Sequence, residues 1–499
     1  MDTFDLLAQG LAVALQPSNL LFCVVGCLLG TLVGALPGLG PSNGVAILIP
    51  FAFAFGLPAE TAMILMTAVY SGAMFGGRIS SIVLNVPGDE PAMMTCLDGH
   101  PMARQGRAAE ALAVSAIASF VGGIIAVVGL MLLAPLIARF ALRFGPPEYF
   151  ALYFLAFSTL GGIGGGGLLK VAAAACLGLM LSTVGLDPDT GVARYTFGLL
   201  HLLQGIDFIV LIIGLFAITE LLAVVEAPPG AGAQTLKLSS AGLTLKSLAF
   251  SALTMLRGAI VGFVAGVLPG SGPSLGSFVA YTWEKLLHGS GASFGSGDPR
   301  GVAAPESANN SAAIGALVPM LTLGVPGSGT TAVLLALLVT LNVTPGPLLM
   351  TQNPDLFWGI VAALLIGSLV LLVLNIPLVS IFVRILMTPR QYLFPIVMML
   401  ALVGAYAVAN STFNLWVAFI FGGLGFALRK FDVPLIPIVL GVLVGPAMEK
   451  NFRHTLILSD GDWSGFFDSG VAISLWLIAA IFLSAPIVMR GMRGTLGDE

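Results

Sequence analysis

Two stretches spell the pattern of a hydrolase nucleophile elbow, Gly40-Pro41-Ser42-Asn43-Gly44 and Gly272-Pro273-Ser274-Leu275-Gly276. A serine works as a nucleophile there only on a strand-to-helix turn, with a histidine to take its proton and a third group to orient that histidine. The flanking sequence has no strand character, and the chain has only four histidines, His100, His201, His288 and His454. An intramembrane hydrolase is therefore a poor reading. Gly324-Val325-Pro326-Gly327-Ser328-Gly329-Thr330-Thr331 nearly matches a phosphate-binding Walker A loop, but Thr330 stands where the lysine belongs. What survives is the backbone logic. A glycine-rich turn opening a helix offers unpaired N–H groups to an anion, and Ser328, Thr330 and Thr331 add hydroxyls without a fixed charge.

Among ionisable residues Glu306 is the most informative, because it stands beside Asn309 and Asn310 next to an apolar run. A carboxylate inside a membrane span is costly and usually functional, so Glu306 is a candidate for holding a coupling ion or passing a proton. The plain alternative is a carboxylate at headgroup level. Arg78 pairs with a substrate carboxylate or with a lipid phosphate. Cys23, Cys27, Cys96 and Cys176 lack metal-site spacing, and no basic patch suggests nucleic acid. No cofactor and no metal site is expected.

The elements that must position these residues are helices broken in the middle of apolar runs. Pro37 removes a backbone donor and disfavours helical geometry at Leu36, while Gly38 and Gly40 permit conformations closed to other residues. In lipid, freed backbone groups are tolerated only where protein or a water-filled cavity satisfies them. Ser42 and Asn43 are placed to cap a new, short helix through Phe55. The break returns 232 residues later as Leu268-Pro269-Gly270-Ser271-Gly272-Pro273-Ser274, and over positions 26–44 ten of nineteen residues are identical to their counterparts. Glycines at 26, 30 and 34 match 258, 262 and 266, a stripe that lets another helix approach closely. A second break, Leu84-Asn85-Val86-Pro87-Gly88, matches Leu323-Gly324-Val325-Pro326-Gly327 at an offset of 239. The duplicated unit thus contains two breaks.

The chain of 499 residues is 57% hydrophobic and 9% charged, too apolar for a soluble shell. Long apolar runs without period-two alternation exclude a barrel and predict an all-α polytopic membrane protein with about 10–12 transmembrane helices. The expected organisation is an N-terminal interfacial segment (1–17), a first membrane repeat half (18–227), a linker (228–245), and a second repeat half with additional C-terminal helices (246–499). Further spans are expected near 109–137, 148–166, 168–184, 199–225, 355–386, 391–408, 411–428, 433–448 and 470–489. No basic residue precedes the first glycine stripe, whereas Lys237, Lys246 and Arg257 precede its copy. Arg104 and Arg107 follow the first Val-Pro-Gly break, whereas 342–355 contains no lysine or arginine. By the positive-inside rule the two repeats are inverted, with the linker inside. Inverted repeats with broken helices at mid-membrane are a common arrangement of secondary transporters.

Together, the Leu-Pro-Gly pair, Tyr70-Ser71-Gly72-Ala73-Met74-Phe75-Gly76-Gly77, Asn85-Val86-Pro87-Gly88, Asp98-Gly99-His100-Pro101-Met102, Ala304-Pro305-Glu306-Ser307-Ala308-Asn309-Asn310 and Leu323 to Thr331 closely resemble the large membrane subunit of bacterial tripartite tricarboxylate transporters. The resemblance covers nearly the whole chain. It departs at Ser71, where family motifs often have a second tyrosine. It implies an inner-membrane importer of carboxylates such as citrate, driven by Na+ or H+. It also implies a small membrane subunit of about four helices and a periplasmic substrate-binding protein as partners. From the residues themselves, the four breaks are expected to meet, and a carboxylate anion to be held by Gly38, Gly40, Ser42, Asn43, Asn85, Gly88, Gly270, Gly272, Ser274, Asn309, Asn310, Gly327, Ser328, Thr330 and Thr331. The competing reading is a passive anion channel.

Overall fold

The structure, a computed structural model, describes residues 3–36, 39–163, 167–187, 190–226, 245–269, 272–289, 293–379, 381–382, 398–399, 402–403, 405–406 and 411–495. Gly38, Gly270, the linker at 228–244 and most of the span expected at 391–408 lie outside them. The described chain is almost wholly helical, with one two-residue antiparallel pair, Gly185–Leu186 against Ala193–Arg194. In order the helices are α1 (Thr3–Ala14), α2 (Pro17–Ala35), α3 (Gly40–Ala54), α4 (Ala59–Leu84), α5 (Met93–Met102), α6 (Ala108–Ala141), α7 (Pro146–Ile163), α8 (Leu168–Ser182) and α9 (Phe208–Ile212). A wide-turned segment, Ile213–Ile218, leads from α9 into α10 (Thr219–Glu226). Then come α11 (Leu245–Val267), α12 (Gly272–His288), α13 (Pro299–Gly315), α14 (Leu317–Leu323), α15 (Gly329–Thr340), α16 (Leu349–Gln352), α17 (Pro354–Asn375), α18 (Thr412–Lys430), α19 (Ile436–Leu458) and α20 (Gly470–Thr495).

Among the described residues, six helices are long and apolar enough to cross a membrane unaided, fewer than the 10–12 spans expected from the apolar runs. The difference has a physical cause. Breaks cut the repeats into shorter pieces such as α3 and α15, and α13 carries so many polar residues that burial rather than composition places it inside: all of Gly301–Gly315 is buried. The stretch Tyr70–Arg78 lies within one helix, α4, which runs unbroken from Ala59 to Leu84. The N-terminal α1 is more than an interfacial strip. A Cβ at Gly10 would lie 2.2 Å from the Trp358 carbonyl oxygen of α17, and Gln9 donates to Asp355 Oδ1 at 2.6 Å.

Each glycine stripe packs on its own unit's next long helix, and in matching register. A Cβ at Gly26, Gly30 or Gly34 would meet the carbonyl oxygens of Leu65, Val69 and Ala73 at 2.6, 2.2 and 2.0 Å. At Gly258, Gly262 and Gly266 it would meet those of Ala304, Ala308 and Ala312 at 2.6, 2.2 and 2.2 Å. Every contact in the second set is the first shifted by 232 on one helix and 239 on the other, so the α2–α3–α4 and α11–α12–α13–α14 units share one architecture. Both second breaks also close alike. Asn85 (φ 56°) and Gly324 (φ 69°) take the left-handed conformation that terminates a helix, and the next N–H donates back to Ser80 O and to Pro319 O. Backbone contact this close leaves no room for a side chain. Gly34→Val and Gly266→Val should each cost at least about 1–3 kcal/mol as overpacking, read as loss of monodisperse protein on size-exclusion chromatography; a wild-type profile for both would refute the packing.

The loop between α12 and α13 is tied to α5 through Asp98. This fully buried carboxylate accepts from Gly295 N, Gly297 N and Asp298 N at 2.8–2.9 Å on Oδ1, and from the Tyr281 hydroxyl at 2.9 Å on Oδ2. Three converging N–H groups form an anion nest that the chain fills itself. Asp98→Ala leaves those buried donors unmade and should lower the melting temperature by several degrees, a loss of about 1–3 kcal/mol; differential scanning fluorimetry in detergent reads it.

Candidate functional site

The breaks of the two units converge. Ser42, in the first turn of α3, lies 2.9 Å from Thr330 Oγ1 in the first turn of α15. The Tyr70 hydroxyl, from the middle of α4, lies 3.4 Å from Ser328 Oγ. Ser328 in turn neighbours the opening of α12, where a Cβ at Gly272 would lie 3.5 Å from Ser328 Cβ. On the other side, Ser274 in the first turn of α12 donates to Glu90 Oε2 at 3.2 Å, just past the Asn85 break. Ser42 and Ser274 are counterparts at the 232 offset, and Glu90 corresponds to Gly329, the neighbour of Thr330, so each unit's first break faces the other's second.

Local sequence explains how each end is built. Gly40 (φ +61°) and Gly272 (φ +60°) adopt the same left-handed conformation, and the prolines after them fall where a helix needs no donor. Ser42 does not cap α3 as its sequence suggested. The cap position is Leu39, without a side-chain bond, which leaves the Ser42 hydroxyl to face Thr330. Ser328 does cap its helix: its Oγ accepts from Thr331 N at 3.2 Å, while Thr331 Oγ1 accepts from Ser328 N at 2.8 Å. Thr331 thus serves the capping box, and Thr330 is the threonine turned to the partner unit.

The remaining expected residues separate into kinds. Gly88 and Gly327 are packing positions, against Gly34 and Gly77 in one unit and against Ala316 in the other. Asn85 is exposed and holds the left-handed turn, as Gly324 does. Asn43 is half-buried in the first turn of α3. Asn310 donates to Glu306 O on its own helix at 3.1 Å, while Asn309, 1% exposed, has neither side-chain atom hydrogen bonded. Glu306 is fully buried and faces α5 and α6, accepting from Thr95 at 2.5 Å and Ser119 at 3.1 Å. Arg78, also buried, donates to Phe75 O and Ser115. Tyr70, Asp89 and Glu90 join the junction without having been expected there. The duplication carried the signal: at the 239 offset Tyr70 aligns with Asn309, and Asp89 with Ser328.

A bundle of broken, duplicated helices with polar residues gathered at the breaks is a membrane transporter architecture. Residues 20–440 match the family described as "Tripartite tricarboxylate transporter TctA family", and the chain belongs to that family. Two relatives come from Agrobacterium vitis, both described as uncharacterized. One lies in the TAR-I ttuC' 3' region and is 38% identical over 475 residues, 95% of this chain and 94% of the relative. The other, in the TAR-II ttuC' 3' region, is 40% identical over 214 residues, 43% of this chain and 88% of the relative. No solved structure matches the chain. The protein is therefore a large, multi-pass membrane subunit of a tripartite transporter, a transport protein and not an enzyme, and its family works with partner subunits.

Proposed function

We propose that this subunit imports a di- or tricarboxylate such as citrate across the bacterial inner membrane by symport with Na+ or H+. The anion arrives from a periplasmic substrate-binding protein and the chain acts together with a small membrane subunit of about four helices. The observation that carries the reading is the convergence of Ser42, Tyr70, Ser328 and Thr330 at the amino ends of α3 and α15. Hydroxyls can all donate to a carboxylate, and they add no fixed positive charge that would hold it too firmly to release. Each helix end contributes roughly 0.3–1 kcal/mol, up to about 2 when partly buried, so several ends together are needed to offset dehydration of a polyanion. Glu306, buried one turn from Asn309 and Asn310, is a candidate for the proton or cation that makes uptake uphill.

The test is uptake of labelled carboxylates, across a panel, into vesicles containing the chain and both partners under imposed sodium and pH gradients. Accumulation above the external concentration, abolished by collapsing one gradient, is the expected result. Uptake that stops at equal concentrations under every gradient would make the protein a passive anion channel.

A further inference from the structure

The two-fold relation between the units generates two equivalent positions at the junction, and their chemistry has diverged. At one, Tyr70 of the first unit reaches Ser328 of the second, with Ser42 and Thr330 alongside. This half is made of neutral hydroxyls. Shifting each residue by the repeat offsets gives the other half: Asn309 stands for Tyr70, Asp89 for Ser328, and Ser274 for Ser42. Glu90 stands for Gly329, against whose position Ser42 also lies (3.3 Å from a Cβ there). The second half therefore carries two carboxylates and a carboxamide where the first carries hydroxyls and a glycine. The opening of α12 already has a carboxylate of its own beside it, through Ser274 and Glu90.

Within this acidic half, hydrogen bonding is incomplete. Asp89 Oδ1 accepts from Ala92 N at 3.0 Å, but Oδ2 has no partner although it is buried. Asn309 is 1% exposed and neither its Oδ1 nor its Nδ2 is bonded. Buried polar atoms are rarely left so, and each unmade bond costs about 1–3 kcal/mol. The pair occupies the positions that hold Tyr70 and Ser328 in contact across the units, yet Asn309 and Asp89 do not bond each other. An amide is shorter than the tyrosine it replaces, and its polar atoms and Asp89 Oδ2 are left without partners. Glu306, by contrast, has both oxygens engaged by Thr95 and Ser119. Among the described residues no three of His, Cys, Asp or Glu converge on one point, which argues against a divalent or transition metal. One buried carboxylate with neutral oxygens beside unwound backbone suits a singly charged hard cation.

We propose that Asp89 and Asn309 are ligands of a sodium-class monovalent cation, bound at the two-fold counterpart of the hydroxyl site. This rests on the reading of the junction as the transport site and deepens it. The duplication has yielded a cation half and an anion half from one ancestral pair, which places a coupling cation within reach of the anion it accompanies.

Thermal unfolding of the purified full-length chain in lipid nanodiscs, titrated with sodium chloride against choline chloride at constant ionic strength, tests it without any transport assay. Wild type should be stabilised by sodium and not by choline. Asp89→Ser, which installs the residue of the other unit, and Asn309→Ala should each raise the half-maximal sodium concentration at least tenfold, while Thr351→Val, exposed on α16, leaves it unchanged. Counting bound radioactive sodium on the monodisperse fraction provides the same readout if either variant is less stable in choline. Absence of a sodium response in wild type, an unchanged half-maximal concentration in both variants, or its loss on Glu306→Gln alone would each overturn the assignment. Citrate stabilisation, measured in parallel, reports the anion reading separately: sodium binding without carboxylate binding would retain the cation site and sink the proposed substrate.

Discussion

Thr330→Val should raise the apparent KM for carboxylate uptake at least about fivefold while leaving the amount of folded protein in the membrane unchanged. Valine keeps the branched shape of threonine, so α15 loses no packing volume, and Thr330 takes no part in the capping box that holds the helix start. Only the hydroxyl that faces Ser42 at 2.9 Å is removed. The loss of one donor in a buried polar site is worth about 1–3 kcal/mol, which corresponds to roughly 5- to 150-fold in affinity. Its neighbour supplies the control. Thr331→Val breaks the reciprocal bonds with Ser328 and should cost about 1 kcal/mol of stability, seen as a lower melting temperature, before any effect on affinity. Uptake by Thr330→Val with the wild-type KM would remove Thr330 from the binding site and with it the strongest argument for the hydroxyl half.

The two threonines also show where sequence reading reaches its limit. That Pro-Gly breaks occur twice in each half follows from residue types and a fixed offset, because proline and glycine act locally on the backbone. Which hydroxyl at a break faces the other unit does not, because Thr330 and Thr331 differ only by the 100° between successive residues of a helix whose start is set by Ser328. Ser42 meets the same limit: serine near a helix start usually caps it, but the cap position falls on Leu39, three residues earlier. Asn85 is a polar residue at a break, yet its place is dictated by the same left-handed turn that Gly324 makes in the other unit. Residue type does not single out Tyr70 or Asp89, because one sits in the middle of an unbroken helix and the other in a turn, and neither is unusual until aligned with its repeat counterpart.

Superposition explains a further asymmetry. In α4 the residues corresponding to Glu306 and Leu317 are Thr67 and Arg78, so each unit carries one charge at a place where the other is neutral. Both charges are buried, and no direct ion pair joins them: Arg78 donates to Phe75 O and Ser115, and Glu306 accepts from Thr95 and Ser119. The α13 helix, too polar to enter a bilayer alone, is thus matched by a cation on the equivalent helix of the other repeat. Both charges contact one face of α6, Arg78 through Ser115 and Glu306 through Ser119 one turn on, and this shared support makes the two halves interdependent.

That interdependence predicts a rescue. Arg78→Leu, which installs the second unit's own residue, should reduce folded protein, because Glu306 is then a buried carboxylate with no buried cation among the described residues to balance it and the partners of the guanidinium are left unmade; the loss should be about 1–3 kcal/mol. Part of it comes from Ser115 and the Phe75 carbonyl, which lose their guanidinium contacts, and from the Phe75 ring, whose centroid lies 5.1 Å from the guanidinium carbon. Glu306→Thr alone leaves Arg78 unbalanced but keeps those three contacts, so its cost should be smaller. Combining the two restores neutrality with residues that the fold already accepts at the equivalent positions, and the double variant should recover more than half of the melting temperature lost by Arg78→Leu. The coupling energy, read from unfolding of the four proteins in nanodiscs, should be at least about 1 kcal/mol in favour of the double variant. Strict additivity would mean that Arg78 acts only through Ser115 and Phe75. Transport need not return with stability: if Glu306 carries a coupling proton, the refolded double variant should equilibrate carboxylate without concentrating it.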